Sequence, residues 1–132
     1  MYSSNHGVYL YESSRCRIQD NNCIGGFLGA INIWEGKYNV IFRNRIAKYG
    51  MIMSSSYNVI SHNSFKNYVL FIIRTSSYNS IIGNTFRDSN CGGIHFEDDS
   101  DNLDNTKFNR IHHNNLFNNS GSGWKQAADY GQ

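Results

Sequence analysis

The chain has 132 residues, of which 12 are Lys or Arg and 10 are Asp or Glu, so its net charge is only +2. This length fits one domain, and the small net charge argues against a nucleic-acid-binding surface. Asparagine (19), serine (16) and glycine (12) are abundant and proline is absent. Because Asn, Ser and Gly favour turns, this composition argues against a helical protein.

The sequence also bears on location and covalent chemistry. It holds no run of about 18 apolar residues, which argues against a membrane span. Residues 1–5 lack a charged segment followed by an apolar stretch, so no signal peptide is visible. Three cysteines at unrelated spacings, Cys16, Cys23 and Cys91, favour isolated thiols over a disulfide framework or a zinc site.

Two kinds of short segment alternate along the chain. The alternating apolar segments span residues 7–11, 30–34, 50–53, 71–74 and 94–97. Each is followed by a copy of the pattern Asn-x-Ile-x-x-Asn-x-apolar, at residues 16–23, 39–46, 58–65, 79–86 and 109–116, with Cys16 in the first Asn place of the first copy. Strands this short cannot bury an apolar face alone, but they can when coils stack about 4.8 Å apart.

The repeat therefore predicts an all-β fold, a right-handed single-stranded parallel β-helix. This solenoid of about five coils is expected over residues 1–119, with residues 120–132 as a C-terminal tail or partial cap in which Trp124 covers the last coil. The hand follows from the usual crossover rule for parallel strands.

Stacked coils predict columns of like residues. Four inward columns are expected to form the core: Val8, Ile31, Phe71 and Ile94; Leu10, Ile33, Ile52, Ile73 and Phe96; Ile18, Ile41, Ile60, Ile81 and Ile111; and Cys23, Ile46, Phe65, Phe86 and Leu116. The repeated Asn residues are expected to form ladders, in which each amide bonds the equivalent residue one coil away.

Two outward columns are also given a structural role. The first is predicted to stack aromatic rings along one edge: Tyr38, Tyr57, Tyr78 and Phe108. The second is predicted to pair charges between coils: Asp20, Arg43 and His62.

The phrases at residues 55–65 (SSYNVISHNSF) and 76–86 (SSYNSIIGNTF) resemble the β-helix repeats of the pectin-lyase-like superfamily. The resemblance is to NosD-like periplasmic copper-binding proteins and related carbohydrate-binding and sugar-hydrolase repeat proteins. It implies an extracytoplasmic location, which would be periplasmic, secreted or cell-surface. Members of such families usually carry caps, so a chain that enters a strand at once is expected to be a fragment of a longer β-helix or to associate end to end.

The outer side of the first strand series is predicted to be unusually aromatic. Its two outward columns are Tyr9, Asn32, Met51, Ile72 and His95, and Tyr11, Trp34, Met53, Arg74 and Glu97. Aromatic rings stack on sugar faces and also dock proteins. The ligand-binding residues are therefore predicted to be Tyr9, Tyr11, Trp34, Met51 and Met53, and the leading hypothesis is a non-catalytic module that binds a polysaccharide or a protein.

An acidic insertion follows the fifth alternating segment and contains Glu97, Asp98, Asp99, Asp101 and Asp104. The resemblance to lyases and hydrolases implies that such carboxylates bind calcium or act as acid and base. The catalytic set implied is Arg74, His95, Glu97, Asp98 and Asp99, and the metal set is Asp98, Asp99 and Asp101. The alternative function is thus a fragment of a polysaccharide lyase or glycoside hydrolase acting through residues 95–101.

A structural interpretation of the same loop stays open, with Arg74 and Glu97 forming an exposed salt bridge. Copper, which the resemblance also implies, is favoured less than calcium. His62 and His113 share a turn column two coils apart, which is too far for one metal ion, and alternation is expected to point His112 and His113 to different sides.

Overall fold

A computed structural model describes residues 7–24, 29–97 and 106–120. These residues contain strands and turns but no helix, and the chain runs through three short strands per coil. The strands are β1 (Val8–Tyr11), β2 (Arg17–Gln19), β3 (Asn22–Cys23), β4 (Ile31–Trp34), β5 (Val40–Phe42), β6 (Arg45–Ile46), β7 (Gly50–Met53), β8 (Val59–Ser61), β9 (Ser64–Lys66), β10 (Leu70–Ile73), β11 (Ser80–Ile82), β12 (Thr85–Arg87), β13 (Ile94–Glu97), β14 (Arg110–His112) and β15 (Asn115–Phe117).

Every third strand joins the same parallel sheet, so the described strands form a solenoid with three sides. Sheet 1 has the order β1-β4-β7-β10-β13, sheet 2 the order β2-β5-β8-β11-β14, and sheet 3 the order β3-β6-β9-β12-β15. The alternating segments supply sheet 1, and each Asn-x-Ile-x-x-Asn copy supplies one strand of sheet 2 and one of sheet 3. The predicted parallel β-helix is confirmed.

The core is a set of inward columns that stack in register from coil to coil. The central isoleucines of sheet 2 pair as predicted, with Ile41 against Ile18 and Ile60, and Ile81 against Ile60 and Ile111. In sheet 3 the buried rings of Phe65 and Phe86 lie 4.7 Å apart and nearly parallel. Like residues stack well because each inner position repeats the same environment one coil further along.

The predicted register of the fourth coil is wrong by one residue. Leu70 and Ile72 point into the core, while Phe71 and Ile73 point outward. Residues 69–73 are all apolar, so their sequence has no alternation that could fix the phase of the strand. Pairing decides it, since Leu70 aligns with Gly50 on one side and Ile94 on the other. Arg74 therefore follows the strand instead of standing beside Glu97.

The asparagine ladders are confirmed. One ladder runs along the bend between sheets 2 and 3. There the Oδ1 atom of Asn63 accepts the backbone N–H of Asn44 at 2.9 Å, and the Oδ1 atom of Asn84 accepts that of Asn63 at 2.9 Å. The other ladder runs along the bend that precedes sheet 2 and begins at Cys16, whose backbone N–H donates to Asn39 Oδ1 at 2.9 Å. These bonds satisfy backbone groups at the bends that the parallel sheets leave unpaired.

The corners of the coil are built from residues in the left-handed region, which is unusual for residues other than glycine. One such corner carries the predicted aromatic column, with φ between 57° and 59° at Tyr38, Tyr57, Tyr78 and Phe108. Neighbouring ring centroids along this column lie 5.0–5.3 Å apart in stacked geometry. The structural role predicted for this column is supported, because the ring faces contact one another.

Charge pairing between coils is confirmed at one predicted place. Arg43 donates to Asp20 Oδ2 at 2.7 Å, across adjacent coils of one corner column. His62, in the next coil of that column, packs its ring edge on Phe42 with centroids 5.5 Å apart.

Candidate functional site

The candidate binding surface is the outer face of sheet 1, built from the outward residues of β1, β4, β7 and β10. Its most accessible part is on β1, where Tyr9 is 40% exposed and Tyr11 49% exposed. The two ring centroids lie 6.2 Å apart with planes only 24° from parallel. Trp34, one coil further, packs edge-on against Tyr11 at 5.8 Å. Strand β1 thus presents two exposed rings, Tyr9 and Tyr11, and the Trp34 ring packs against Tyr11.

Accessibility falls along this face away from β1. Trp34 and Met51 are half-buried, whereas Met53 is only 7% exposed. In register Met53 stands between Trp34 and Ile73, and these bulky outward side chains flank it on both sides. Met53 thus offers little surface to a ligand, whereas Tyr9, Tyr11, Trp34 and Met51 reach the surface.

Two glutamates border the exposed rings, and sequence reasoning missed both. Glu12 and Glu35 directly follow Tyr11 and Trp34, so they stand next to each other on adjacent coils at the corner of sheet 1. A hydrogen bond to Glu12 and the negative charges of Glu12 and Glu35 raise the pKa of the Tyr11 hydroxyl above its ordinary value. The sequence pattern that could have revealed this acidic pair is the repeated aromatic–Glu dipeptide, Tyr11-Glu12 and Trp34-Glu35.

The predicted catalytic residues are not assembled into a cleft by the described residues. His95 is 5% exposed and packs against the Phe71 ring, with centroids 5.3 Å apart. Arg74 is exposed at the corner after β10 with φ 48°. The backbone of Glu97 pairs with Ile73, which occupies the place predicted for Arg74. The predicted residues Asp98, Asp99, Asp101 and Asp104 lie outside the described residues, as do residues 121–132 of the predicted tail.

The paired histidines differ from expectation. His112 and His113 turn toward each other, and their Nδ1 atoms are 2.6 Å apart. The expectation that their rings point to different sides is wrong, because His113 sits at a left-handed corner (φ 56°), where strand alternation no longer applies. In the column shared by His62 and His113, Gly83 occupies the intervening coil. Within residues 7–24, 29–97 and 106–120, no three His, Cys, Asp or Glu side chains are grouped to hold a metal ion.

Comparison with known proteins identifies the family. Residues 1–131 match the family described as the right-handed β-helix region, and the chain belongs to this family. Neither the curated proteins nor the solved structures contain a match. The part of the chain that the structure describes also contains no helix long and apolar enough to cross a membrane.

Proposed function

We propose that the chain is a non-catalytic β-helix module that binds a polysaccharide along the outer face of sheet 1. The observation that carries this proposal is the pair of exposed, nearly parallel rings of Tyr9 and Tyr11, backed by Trp34. Rings on a strand are positioned before a ligand arrives, so little conformational freedom is lost on binding. The apolar face of a sugar ring fits such a platform, while polar groups at its edge reach its hydroxyls.

Size favours a sugar chain over a folded protein as the ligand. An aromatic side chain buries about 150–250 Å² when fully covered. Tyr9 is 40% and Tyr11 49% exposed, so together they offer roughly 130–220 Å², to which the half-buried Trp34 and Met51 add smaller areas. A specific protein interface needs about 800 Å² on each partner. Met53 and Asn32, which are buried, add nothing to this area. Protein binding is thus the less favoured use of the face.

We also propose that the protein is extracytoplasmic and is related to the NosD-like and carbohydrate-binding repeat proteins. In that location it would meet polysaccharide directly. Because the described residues hold no group of three His, Cys, Asp or Glu side chains, copper or calcium binding would require ligands from other residues.

The enzymatic alternative, a lyase or hydrolase fragment acting through residues 95–101, is a separate proposal. Its proposed residues are Arg74, His95, Glu97, Asp98 and Asp99. Burial of His95, whose ring packs against Phe71, weighs against a role in proton transfer. Product analysis after long incubation with each polysaccharide tests it, and release of shorter chains would replace the non-catalytic proposal.

Affinity electrophoresis and calorimetry with a panel of soluble polysaccharides test the binding proposal. Tyr9→Ala and Tyr11→Ala should each weaken binding about 3- to 10-fold, the loss expected for one stacked ring. Tyr38→Ala is the matched control, because Tyr38 is similarly exposed but lies on a corner outside sheet 1. Absence of binding to every polysaccharide, or equal weakening by Tyr38→Ala, would contradict the proposal.

A further inference from the structure

We propose that this face selects polysaccharides that carry protonated amino groups, such as glucosamine polymers, over chains of uronic acids. The inference rests on the proposed function and specifies the ligand's charge. It is carried by two carboxylates placed beside the exposed rings on adjacent coils.

The backbone fixes the positions of the two carboxylates. The backbone N–H of Glu12 donates to Trp34 O at 3.0 Å, and that of Glu35 donates to Met53 O at 3.1 Å. Since Tyr11 pairs with Trp34 in the parallel ladder, the glutamates that follow them are one coil apart, about 4.8 Å along the solenoid. Both side chains are exposed. They therefore form a short acidic edge directly beside the aromatic rings.

Neither glutamate is neutralised by a described residue. The ion pair between Asp20 and Arg43 shows how an acid on one coil can be matched by a base on the next. Glu12 and Glu35 instead place two like charges on adjacent coils, and neither forms an ion pair within residues 7–24, 29–97 and 106–120. Like charges in such register repel each other, so a cation between them relieves an unfavourable interaction.

The basic residues nearby lie away from the rings. Arg74 occupies the same corner column as the glutamates, but it is two coils beyond Glu35, with Ser54 between them. Arg15 and Lys37 follow Glu12 and Glu35 by three and two residues, at the corner that carries the aromatic column, and neither forms an ion pair with these glutamates among the described residues. The negative edge is thus confined to the two coils that carry Tyr9, Tyr11 and Trp34.

This arrangement matches an amino sugar by charge as well as by shape. An ammonium group carries three donors and forms charge-assisted hydrogen bonds with carboxylates. A sugar stacked on Tyr11 could direct its amine toward Glu12 or Glu35. A uronate in the same place would bring a third carboxylate to the pair and be repelled.

Calorimetry with three probes of equal length tests this inference: a glucosamine oligomer, its fully N-acetylated neutral counterpart, and an oligogalacturonate. The titrations are run near pH 5.5, where the amino groups of the glucosamine oligomer are protonated and the oligogalacturonate is ionised. We expect the glucosamine oligomer to bind about 3- to 10-fold more tightly than the neutral oligomer, with a preference that falls as salt is added. Glu12→Gln/Glu35→Gln should abolish that preference, so that the glucosamine and neutral oligomers bind with equal affinity.

A matched control removes the same number of charges elsewhere. Asp20→Asn/Asp88→Asn changes two acids on other faces and should retain the preference. A single charge reversal, Glu35→Lys, should shift the preference toward the oligogalacturonate, and circular dichroism confirms that each variant is folded.

The outcomes separate the inference from the proposed function. Equal affinity for the glucosamine and neutral oligomers would overturn the inference and leave polysaccharide binding in place. Tighter binding of the oligogalacturonate, or equal loss of preference in the control variant, would also overturn the inference. Absence of binding to all three probes would overturn both, provided that the panel of other polysaccharides is negative as well.

Discussion

Asn63 gives the sharpest test of what holds the coils together. Its Oδ1 atom accepts the backbone N–H of Asn44 at 2.9 Å, and its Nδ2 atom donates to Ile41 O at 2.9 Å. Asn63→Ala leaves that N–H buried without its acceptor and removes one bond to Ile41 O, which also lies in the parallel β5–β8 ladder. A buried unsatisfied donor costs about 1–3 kcal/mol and a lost hydrogen bond about 0.5–1.5 kcal/mol, so the free energy of unfolding should fall by about 1.5–4.5 kcal/mol. Urea unfolding followed by far-UV circular dichroism measures this change.

Asn21→Ala is the matched control for this ladder. Asn21 is exposed, and its side chain donates to Gln19 O and Asn44 Oδ1. Asn44 Oδ1 keeps the backbone N–H of Asn21 when the side chain is removed. The control should therefore cost less than about 1 kcal/mol. Equal unfolding midpoints for Asn63→Ala and Asn21→Ala would refute the view that buried ladder bonds stabilise the solenoid.

Three further predictions concern other parts of the molecule. Because Tyr57 has a left-handed φ of 59°, Tyr57→Gly should be more stable to urea than Tyr57→Ala by about 0.5–1 kcal/mol, the reverse of the order in an ordinary strand. A more stable Ala variant would contradict the view that the backbone is strained at this corner. Exposed Cys91 should react with a thiol reagent much faster than Cys23, because Cys23 is buried and its burial raises the pKa of its thiol; equal rates in single-cysteine variants would contradict this. A hydrogen bond from Arg43 lowers the pKa of Asp20, so this ion pair stabilises the fold at neutral pH and the stabilisation is lost as pH falls through the lowered pKa. Asp20→Asn should therefore reduce the Tm at about pH 7 but not near pH 2, and an equal reduction at both pH values would count against this prediction.

The proposed binding residues differ from the residues that build the coil. The isoleucine columns and the ladder asparagines form the core and the bends of the solenoid. The proposed binding residues Tyr9, Tyr11 and Glu12 lie outside that repeat, on the first strand and its corner. Membership of the family therefore supports the scaffold, while the proposed function depends on outward side chains of that scaffold.

The sequence alone determined the repeat and most of the core. Where polar residues stand on both sides of an apolar one, as around Ile18 and Phe65, the period of two fixes which side chain turns inward, and asparagine marks each bend. The uniformly apolar run from Val69 to Ile73 lacks that signal. Only pairing with the neighbouring coils decides its register, because a shift by one residue exchanges the two faces of a strand.

The binding surface also depended on tertiary structure. Local sequence shows that Met53 and Tyr11 point outward, but their exposure depends on side chains from neighbouring coils, which are about 20 residues away in sequence. The same stacking brings Glu12 beside Glu35. The repeated local pattern thus defines the direction of each side chain, whereas the contacts between coils decide which side chains are covered and which charges meet at the surface.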